Sequence, residues 1–249
     1  MIRTLLASLF CLALAPLALA TPSGRTLEQA LAQYGPDARL RLAPFVDTLP
    51  PAFDPVAMKL VAIKADRRLE VWLQSAAGPW HELRTYPIVE ASGSLRPKMR
   101  EGDFQVPEGV YRIDASNPNS QYHLSLRIDY PNAMDRHYGA LEQRSNLGGN
   151  IFIHGRDVSR GCLAMGDRYI EELFVLAHDI GLDNIEVVIS PRDPRRYDLE
   201  VPVGLPDWVA HKYSEIESSI AQLTQPASPL QQSAELEGET LGDEALLLP

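Results

Sequence analysis

The most constraining feature of this chain is a strict alternation of apolar and polar side chains from residue 122 to residue 130. Tyr, Leu, Leu, Ile and Tyr occupy the even positions, and His, Ser, Arg and Asp occupy the odd ones. Successive side chains of a β-strand point to opposite faces of the sheet, so the pattern predicts a strand with one buried and one polar face. Such a strand needs partner strands and a core to cover its apolar face.

The two-residue period recurs after Met58. Apolar residues alternate on both sides of Ala65-Asp66-Arg67-Arg68, which predicts a β-hairpin. Further strands are predicted at 83–89, 109–113, 150–154 and 185–189, and the one long helix at 167–180. Asp167 is its predicted N-cap and Gly181 its C-terminal stop. Many short strands and one principal helix predict a mainly-β fold, a sandwich or barrel, over residues 58–192.

The segments outside that domain lack the two-residue period. Residues 1–20 carry one positive charge, a short apolar core and Ala18-Leu19-Ala20, which predicts a cleaved secretory signal peptide. Residues 21–57 form an N-terminal lead segment with brief helical spacing that we expect Gly35-Pro36 to interrupt. Residues 193–224 form a C-terminal extension with one short helix. Residues 225–249 form an acidic, low-complexity tail that we expect to be disordered.

The charge balance limits the possible partners. Asp and Glu number 33 against 23 Lys and Arg, and loss of Arg3 with the signal moves the net charge from −10 to −11. Binding to phosphate backbones needs a surplus of cations, so nucleic acid is not an expected partner. Beyond residue 20 no apolar stretch is long enough to span a bilayer, so no stable membrane insertion is expected after signal cleavage.

Cysteine usage points to one reactive group. Cys11 lies in the predicted signal, which leaves Cys162 alone in the exported chain. A single thiol in an exported protein is either half of an intermolecular disulfide or a reactive group. His154 ends an apolar strand eight residues earlier, and an imidazole near a thiol is the usual means of generating the nucleophilic thiolate. The pair therefore predicts a cysteine nucleophile with a histidine general acid and base.

The residues between them describe a tight loop that could serve acyl transfer. Gly161 lets the backbone approach a ligand closely, and its amide is a candidate oxyanion donor. Ser159 is predicted to orient the loop and Gly155 to support it through its backbone. The group that orients the imidazole is left open between Ser159, Asp157 and a backbone carbonyl. The alternative is a metal site, with His154, Asp157 and Cys162 as ligands. A closed zinc site needs four ligands and no other cysteine would remain, so no metal or cofactor is expected.

At this point the residues resemble a known family. His154-Gly155 followed by Ser159-Arg160-Gly161-Cys162 resembles the signature of YkuD-type L,D-transpeptidase catalytic domains. Residues 102–111 look like the family's T-P-x-G strand lead-in, with Val106 in place of threonine. The runs 117–120 and 130–135 are similar to its YafK-like branch. The resemblance covers roughly residues 58–192 and implies a mainly-β fold.

The sequence departs from the family pattern in three ways. Arg160 stands where most members have histidine, and the spacing between His154 and Cys162 is shorter than is common. Ala164 replaces the Arg or Asn that usually follows the cysteine by two residues. The short loop and the run Cys-Leu-Ala-Met are similar to the YafK-like branch. The departures leave the substrate and the outcome of the reaction open.

The resemblance implies a periplasmic L,D-transpeptidase that acts on peptidoglycan stem peptides through a thioester on Cys162, in cell-wall remodelling. The same branch implies a hydrolytic alternative, an endopeptidase or amidase that releases wall-attached lipoprotein or trims crosslinks. A third alternative is a non-catalytic peptidoglycan-binding module, with Cys162 buried and the acidic tail recruiting partners.

Candidate substrate-binding residues are less closely defined. His123 and Tyr122 either line the cleft or face solvent, since they lie at the start of the alternating strand. Arg156 and Arg160 could each hold a substrate carboxylate, or be ordinary solvated charges. The same ambiguity applies to Lys98 and Arg100. Asn132, with Asp135, could shape a loop beside the site or simply form a turn.

Overall fold

A computed structural model describes residues 24–76 and 78–224 of the chain. The predicted signal peptide at 1–20 and the predicted tail at 225–249 lie outside these residues. No helix within the described ranges combines the length and the apolar character that crossing a bilayer requires.

The centre of the described structure is a single sheet of nine strands that curls into a half-barrel. Its order is β3-β2-β1-β9-β5-β6-β7-β8-β4, and all neighbours pair antiparallel except β1 with β9 and β7 with β8. The strands are β1 (Pro55–Ile63), β2 (Arg68–Ser75), β3 (His81–Pro87), β4 (Glu90–Ala91), β5 (Gly109–Asn117), β6 (Ser125–Ile128), β7 (Phe152–His154), β8 (Leu163–Ala164) and β9 (Ile185–Ser190). The predicted mainly-β fold is confirmed.

The predicted hairpin around Ala65-Asp66-Arg67-Arg68 is also confirmed, since β1 and β2 pair antiparallel on either side of it. Both faces of β1 are buried. Leu60 and Ala62 belong to the larger core, and Val61 and Ile63 belong to a second core on the opposite face. A central strand covered on both faces loses the simple alternation of a half-exposed strand.

Four α-helices cover the two faces of the sheet within the described residues. They are α1 (Leu27–Val46), α2 (Ala133–Leu141), α3 (Asp167–Ile180) and α4 (Val209–Ala221). The bounds of α3 and its stop at Gly181, with φ 92°, agree with the prediction. The predicted cap is wrong, because the N-cap is Gly166 and makes no side-chain hydrogen bond.

The lead segment differs from its prediction. Helix α1 runs without interruption through Pro36, where a break was expected, and through Pro44. Each proline removes one backbone hydrogen bond from a helix interior. Burial of Ala38 and Leu42 against the core and an ion pair between Arg41 and Glu172 of α3 offset that loss. A capping box also fixes the helix start at Thr26.

The short helix predicted in the C-terminal extension is present as α4. Helix α4 packs Tyr213, Ile216 and Ile220 into the second core, so its apolar face is covered by the sheet. Helix α2 replaces the loop that was expected after residue 131.

The alternating segment forms a shorter strand than expected. Strand β6 covers only residues 125–128 of the predicted 122–130. His123 takes a φ of 75°, a left-handed conformation that a strand cannot contain. The residues before it turn away from the sheet and become a loop over the neighbouring strand β7.

Candidate active site

Strands β7 and β8 bring the two predicted catalytic residues together. They pair parallel with Ile153 opposite Leu163 and His154 opposite Ala164. Continuing the register places Cys162 opposite Phe152. Because side chains two residues apart share a face, Cys162 and His154 project from the same side of the sheet, with Cα atoms roughly 8 Å apart. Ile153 and Leu163 point the other way and are buried in the larger core.

His154 is held in a defined orientation. Its side chain is buried, and its Nδ1 lies 2.6 Å from the carbonyl oxygen of Gly155. A carbonyl only accepts, so Nδ1 carries the hydrogen and the neutral ring has its basic lone pair on Nε2. The Tyr122 ring lies against the imidazole with centroids 4.6 Å apart. Burial lowers the pKa of His154, although the hydrogen bond to Gly155 opposes that shift.

Cys162 is a half-buried free thiol. Its Sγ donates a long hydrogen bond of 3.9 Å to the Asn150 carbonyl and accepts one from the backbone amide of Phe152. Burial raises the pKa of the thiol, and the Phe152 amide and the Lys98 charge partly counter this. With the cysteine pKa raised and the histidine pKa lowered, the resting pair is a neutral thiol and a neutral imidazole rather than an ion pair.

Two serines fix the loop that carries the cysteine. Ser159 Oγ donates to the carbonyl oxygen of Cys162 at 2.7 Å and accepts from the Ser92 amide at 3.1 Å. Ser92 Oγ donates to the Phe104 carbonyl at 2.8 Å and accepts from the Gly161 amide at 2.7 Å. The loop is thereby tied to the segment after β4. Sequence analysis did not identify Ser92, because no local signal indicates its role.

Gly161 occupies a backbone position that favours glycine. Its φ is 101°, and an added Cβ would lie 3.3 Å from the carbonyl oxygen of Gln105. Its amide hydrogen is engaged by Ser92 in this structure. The oxyanion role predicted for that amide therefore requires Ser92 to release it, and it stays a prediction.

Gly155 lies where three segments meet. An added Cβ would lie 2.7 Å from both Asp167 Oδ1 and the Tyr122 carbonyl oxygen, which is closer than real Cβ atoms approach. The Gly155 carbonyl accepts from His154, and its amide donates to the Leu124 carbonyl at 3.2 Å. These contacts are consistent with the backbone support predicted for this residue.

A buried ion pair adjoins the cysteine. Lys98 Nζ lies 2.6 Å from Asp103 Oδ1, and both side chains are nearly inaccessible to solvent. Burial opposes ionisation of Asp103, but the Lys98 ammonium and the amides of Met99, Arg100 and Gln105 outweigh it and lower the pKa of Asp103. The ambiguity over Lys98 is thus resolved in favour of a buried, paired cation whose field reaches Cys162.

Three predicted substrate-binding residues lie beside the pair. Tyr122 stacks on His154 and remains partly exposed. Arg156 is exposed, with φ 57° and its amide bound to Asp167 at 2.7 Å. Arg160 is exposed, and its guanidinium carbon lies 6.0 Å from the ring centroid of Phe104. Both guanidinium groups are placed where they could reach a ligand in solvent.

The other two predicted substrate-binding residues, His123 and Asn132, make contacts away from His154 and Cys162. The His123 ring is bound to α3, because its Nε2 lies 3.0 Å from Glu171 Oε1. Asn132 caps α2: its side chain accepts from the Asp135 amide at 3.0 Å and donates to the Val110 carbonyl at 2.9 Å. Both amide ends of Asn132 are thereby used in structural contacts.

Within the described ranges, no three His, Cys, Asp or Glu side chains lie close enough together to hold a metal ion. The chemistry that the site residues can perform is proton transfer at His154 Nε2 and nucleophilic attack by Cys162 Sγ.

Comparison with known proteins gives one family and several relatives. The chain matches the YkuD L,D-transpeptidase catalytic domain over residues 59–189, just over half of its 249 residues. It is 35% identical over 133 residues to the "Putative L,D-transpeptidase YafK" of Escherichia coli K12, with 51% of each chain covered. The chain spans about half the length of the curated relatives it matches.

Solved structures show weaker likenesses. The helical cell shape determining protein Pgp2 of Campylobacter jejuni aligns with a TM-score of 0.46 and 19% identity, covering 63% of this chain and 56% of that one. L,D-transpeptidase 1 of Mycobacterium tuberculosis aligns with a TM-score of 0.33 and 15% identity, covering 54% and 62%. The match over residues 59–189 contains β7, the loop after it and Cys162. The chain therefore belongs to the YkuD family of L,D-transpeptidase catalytic domains.

Proposed function

We propose that this protein is an exported cysteine acyltransferase that acts on peptidoglycan stem peptides through a thioester on Cys162. The observation that carries the proposal is the placement of Cys162 and His154 on one face of the β7–β8 pair, with the basic nitrogen of His154 left for the thiol. Membership of the L,D-transpeptidase family supports peptidoglycan as the substrate class.

The reaction follows from the protonation states of the resting pair. His154 Nε2 removes the thiol proton as Cys162 Sγ attacks the carbonyl carbon between an L-centre and a terminal D-amino acid. The tetrahedral intermediate collapses when the same proton passes to the departing amine. The products of this step are a thioester on Cys162 and a free D-amino acid.

The second step decides the biological outcome. An amine that attacks the thioester forms a new amide and restores the thiol, which gives a crosslink or an attached protein. Water that attacks the thioester releases a carboxylic acid, which gives trimming or release of a wall-attached lipoprotein. Both outcomes use the same nucleophile, so the acylation residues alone do not distinguish them.

Export to the periplasm is part of the proposal. It is supported by the signal-like sequence of residues 1–20 and by the location of peptidoglycan outside the cytoplasm.

The test is mass spectrometry of sacculi that carry covalently attached lipoprotein, incubated with the purified protein and a D-amino acid. Exchange or crosslink products that depend on Cys162 would support transpeptidation. Released lipoprotein or trimmed stems without exchange would support the hydrolase and overturn the transferase. The Cys162→Ala variant is the control for each product.

Products that persist in Cys162→Ala would contradict a thioester at this residue. Absence of any product in the wild-type protein would overturn the catalytic proposal in favour of a peptidoglycan-binding module. That module was predicted to bury Cys162, whereas the thiol is only half-buried. A pull-down of the protein on intact sacculi would then measure binding directly.

A further inference from the structure

The loop before β6 is held by residues from outside the matched family domain. Arg25 and Asn119 bind reciprocally: the Arg25 amide donates to Asn119 Oδ1 at 2.7 Å, and Asn119 Nδ2 donates to the Arg25 carbonyl at 2.6 Å. The Arg25 guanidinium also donates to the Pro118 carbonyl at 2.5 Å and to the Tyr34 hydroxyl at 2.7 Å. The start of the lead helix thus fastens one end of the loop.

The other end of this loop is fastened by His123. Its ring is bound to Glu171 at 3.0 Å and packs edge-on against Tyr34 of α1, with centroids 5.0 Å apart. Glu171 in turn pairs with Arg41 of α1 at 3.0 Å. These contacts hold His123 in its left-handed conformation, which a histidine rarely adopts unless its surroundings require it.

Tyr122 lies between the two anchors, directly before His123, and its ring lies against the imidazole of His154. The two rings are tilted by 34°, and the Tyr122 carbonyl comes close to the backbone of Gly155. Arg25, Tyr34 and Arg41 precede residue 59, where the family match begins. The polar and ring contacts of these three residues lie within α1, with the loop and with α3, and they do not include His154 or Cys162. Any effect on catalysis must therefore pass through the loop.

We propose that Tyr122 is a positioning residue for His154 and that the lead helix α1 holds it there. The aromatic ring covers one face of the imidazole, excludes water from it and restricts its rotation. The imidazole then keeps Nδ1 on the Gly155 carbonyl and presents Nε2 toward the cysteine side of the sheet. This inference rests on the proposed role of His154 as the base for Cys162.

The test uses alkylation of Cys162 by iodoacetamide as a function of pH, followed by mass spectrometry on the full chain. Tyr122→Leu removes the ring, and we expect alkylation near neutral pH to fall about tenfold, with the profile moved toward that of an unassisted thiol. Tyr122→Phe keeps the stacking ring, and we expect it to restore the wild-type profile. Arg25→Ala loosens the loop from a distance and should move the profile in the direction of Tyr122→Leu.

Two matched controls separate positioning from general stability. Tyr138→Leu deletes a ring that is stacked on Trp208 at 4.9 Å, and Arg39→Ala removes an exposed ion pair between α1 and Asp179. Neither should alter the alkylation profile, although each changes the thermal midpoint slightly. An unchanged profile in Tyr122→Leu would overturn the proposal.

The remaining outcomes also support or overturn the positioning role of Tyr122. If Tyr122→Leu does not fold, Arg25→Ala becomes the remaining test. A wild-type alkylation profile in Arg25→Ala would overturn the role of the lead helix. Alkylation needs no peptidoglycan, so the result is independent of the sacculus experiment. A Tyr122-dependent profile in a protein that forms no thioester would uphold the positioning role while rejecting the proposed function.

Discussion

The Nδ1 nitrogen of His154 donates to the carbonyl oxygen of Gly155, the next residue in the chain, at a distance of 2.6 Å. This contact fixes the tautomer without a carboxylate, so no Asp or Glu is needed to orient the imidazole. Sequence analysis had left that orienting group open between Ser159, Asp157 and a backbone carbonyl. Ser159 instead binds the Cys162 carbonyl, and the backbone of Gly155 supplies the contact.

Replacement of the His154 imidazole should abolish catalysis, whereas replacement of a similar histidine elsewhere should not. We expect His154→Gln to slow thioester formation on a stem tetrapeptide by about a hundredfold or more, because general base catalysis is lost. His178→Gln is the matched control, since His178 is also a part-buried histidine with a lowered pKa, bound to Ser116 at 3.1 Å. Intact-protein mass spectrometry measures the acylated fraction, and equal rates in the two variants would exclude His154 as the base.

The pH dependence of acylation follows from the two shifted pKa values. His154 must be neutral to accept the thiol proton, and burial lowers its pKa. We therefore expect activity to persist below the ordinary histidine range and to fall only as the pH drops through that lowered pKa. Rates of thioester formation measured from acid to neutral pH locate this fall in activity. A fall that begins above about pH 6.5, the ordinary histidine pKa, would contradict the role of His154 as the base.

The thiol should titrate on the alkaline side. Burial raises the pKa of Cys162, with the Lys98 charge opposing the shift only in part. When His154 is replaced by Gln, we expect alkylation of Cys162 to keep rising with pH beyond the range of an ordinary cysteine. A plateau near neutral pH in that variant would show a thiolate stabilised by another group.

A methyl group at residue 155 should be poorly tolerated. Gly155→Ala places a Cβ against the Tyr122 carbonyl and Asp167, so we expect a loss of about 1–3 kcal/mol in the free energy of unfolding and a marked loss of acylation. Gly149→Ala is the control, because a Cβ there would have its nearest neighbour 3.9 Å away. Urea denaturation compares the two variants. Equal denaturation midpoints would show that the backbone at residue 155 shifts to accommodate the methyl group.

The buried carboxylate of α3 should contribute more to stability than its exposed neighbours. Glu172 has no solvent exposure and binds Arg41, Arg84 and the Tyr86 hydroxyl. Glu172→Ala removes the carboxylate that pairs with Arg84 and leaves Arg41 paired with Glu171 alone, and we expect a loss of about 3–5 kcal/mol.

Asp179→Ala is the control for this prediction, because it removes an exposed pair with Arg39 from the same helix. We expect it to cost less than about 1 kcal/mol. Thermal and urea unfolding measure both variants. A loss in Glu172→Ala no larger than in Asp179→Ala would mean that solvent reaches the arginines.

The sequence by itself determined those features that depend on neighbours in the chain. The two-residue period predicted the β1–β2 hairpin, and the 3.6-residue period predicted α3 with its glycine stop, because backbone geometry translates such periods directly into faces. The sequence also predicted Cys162 and His154 as a reactive pair, since few residue pairs in a glycine-flanked loop can activate a thiol, and their catalytic role stays a prediction.

Only the tertiary structure decided where distant residues meet. Ser92 reaches Ser159 and Gly161 across 67 and 69 residues, and no local pattern records a contact that depends on the order of strands in the sheet. Helix α1 continues through two prolines because packing on the core and on α3 outweighs their unfavourable local preference. The loop position of Tyr122 likewise follows from the contacts of Pro118 with Arg25 and of His123 with Glu171, which override the strand that its own alternation predicts.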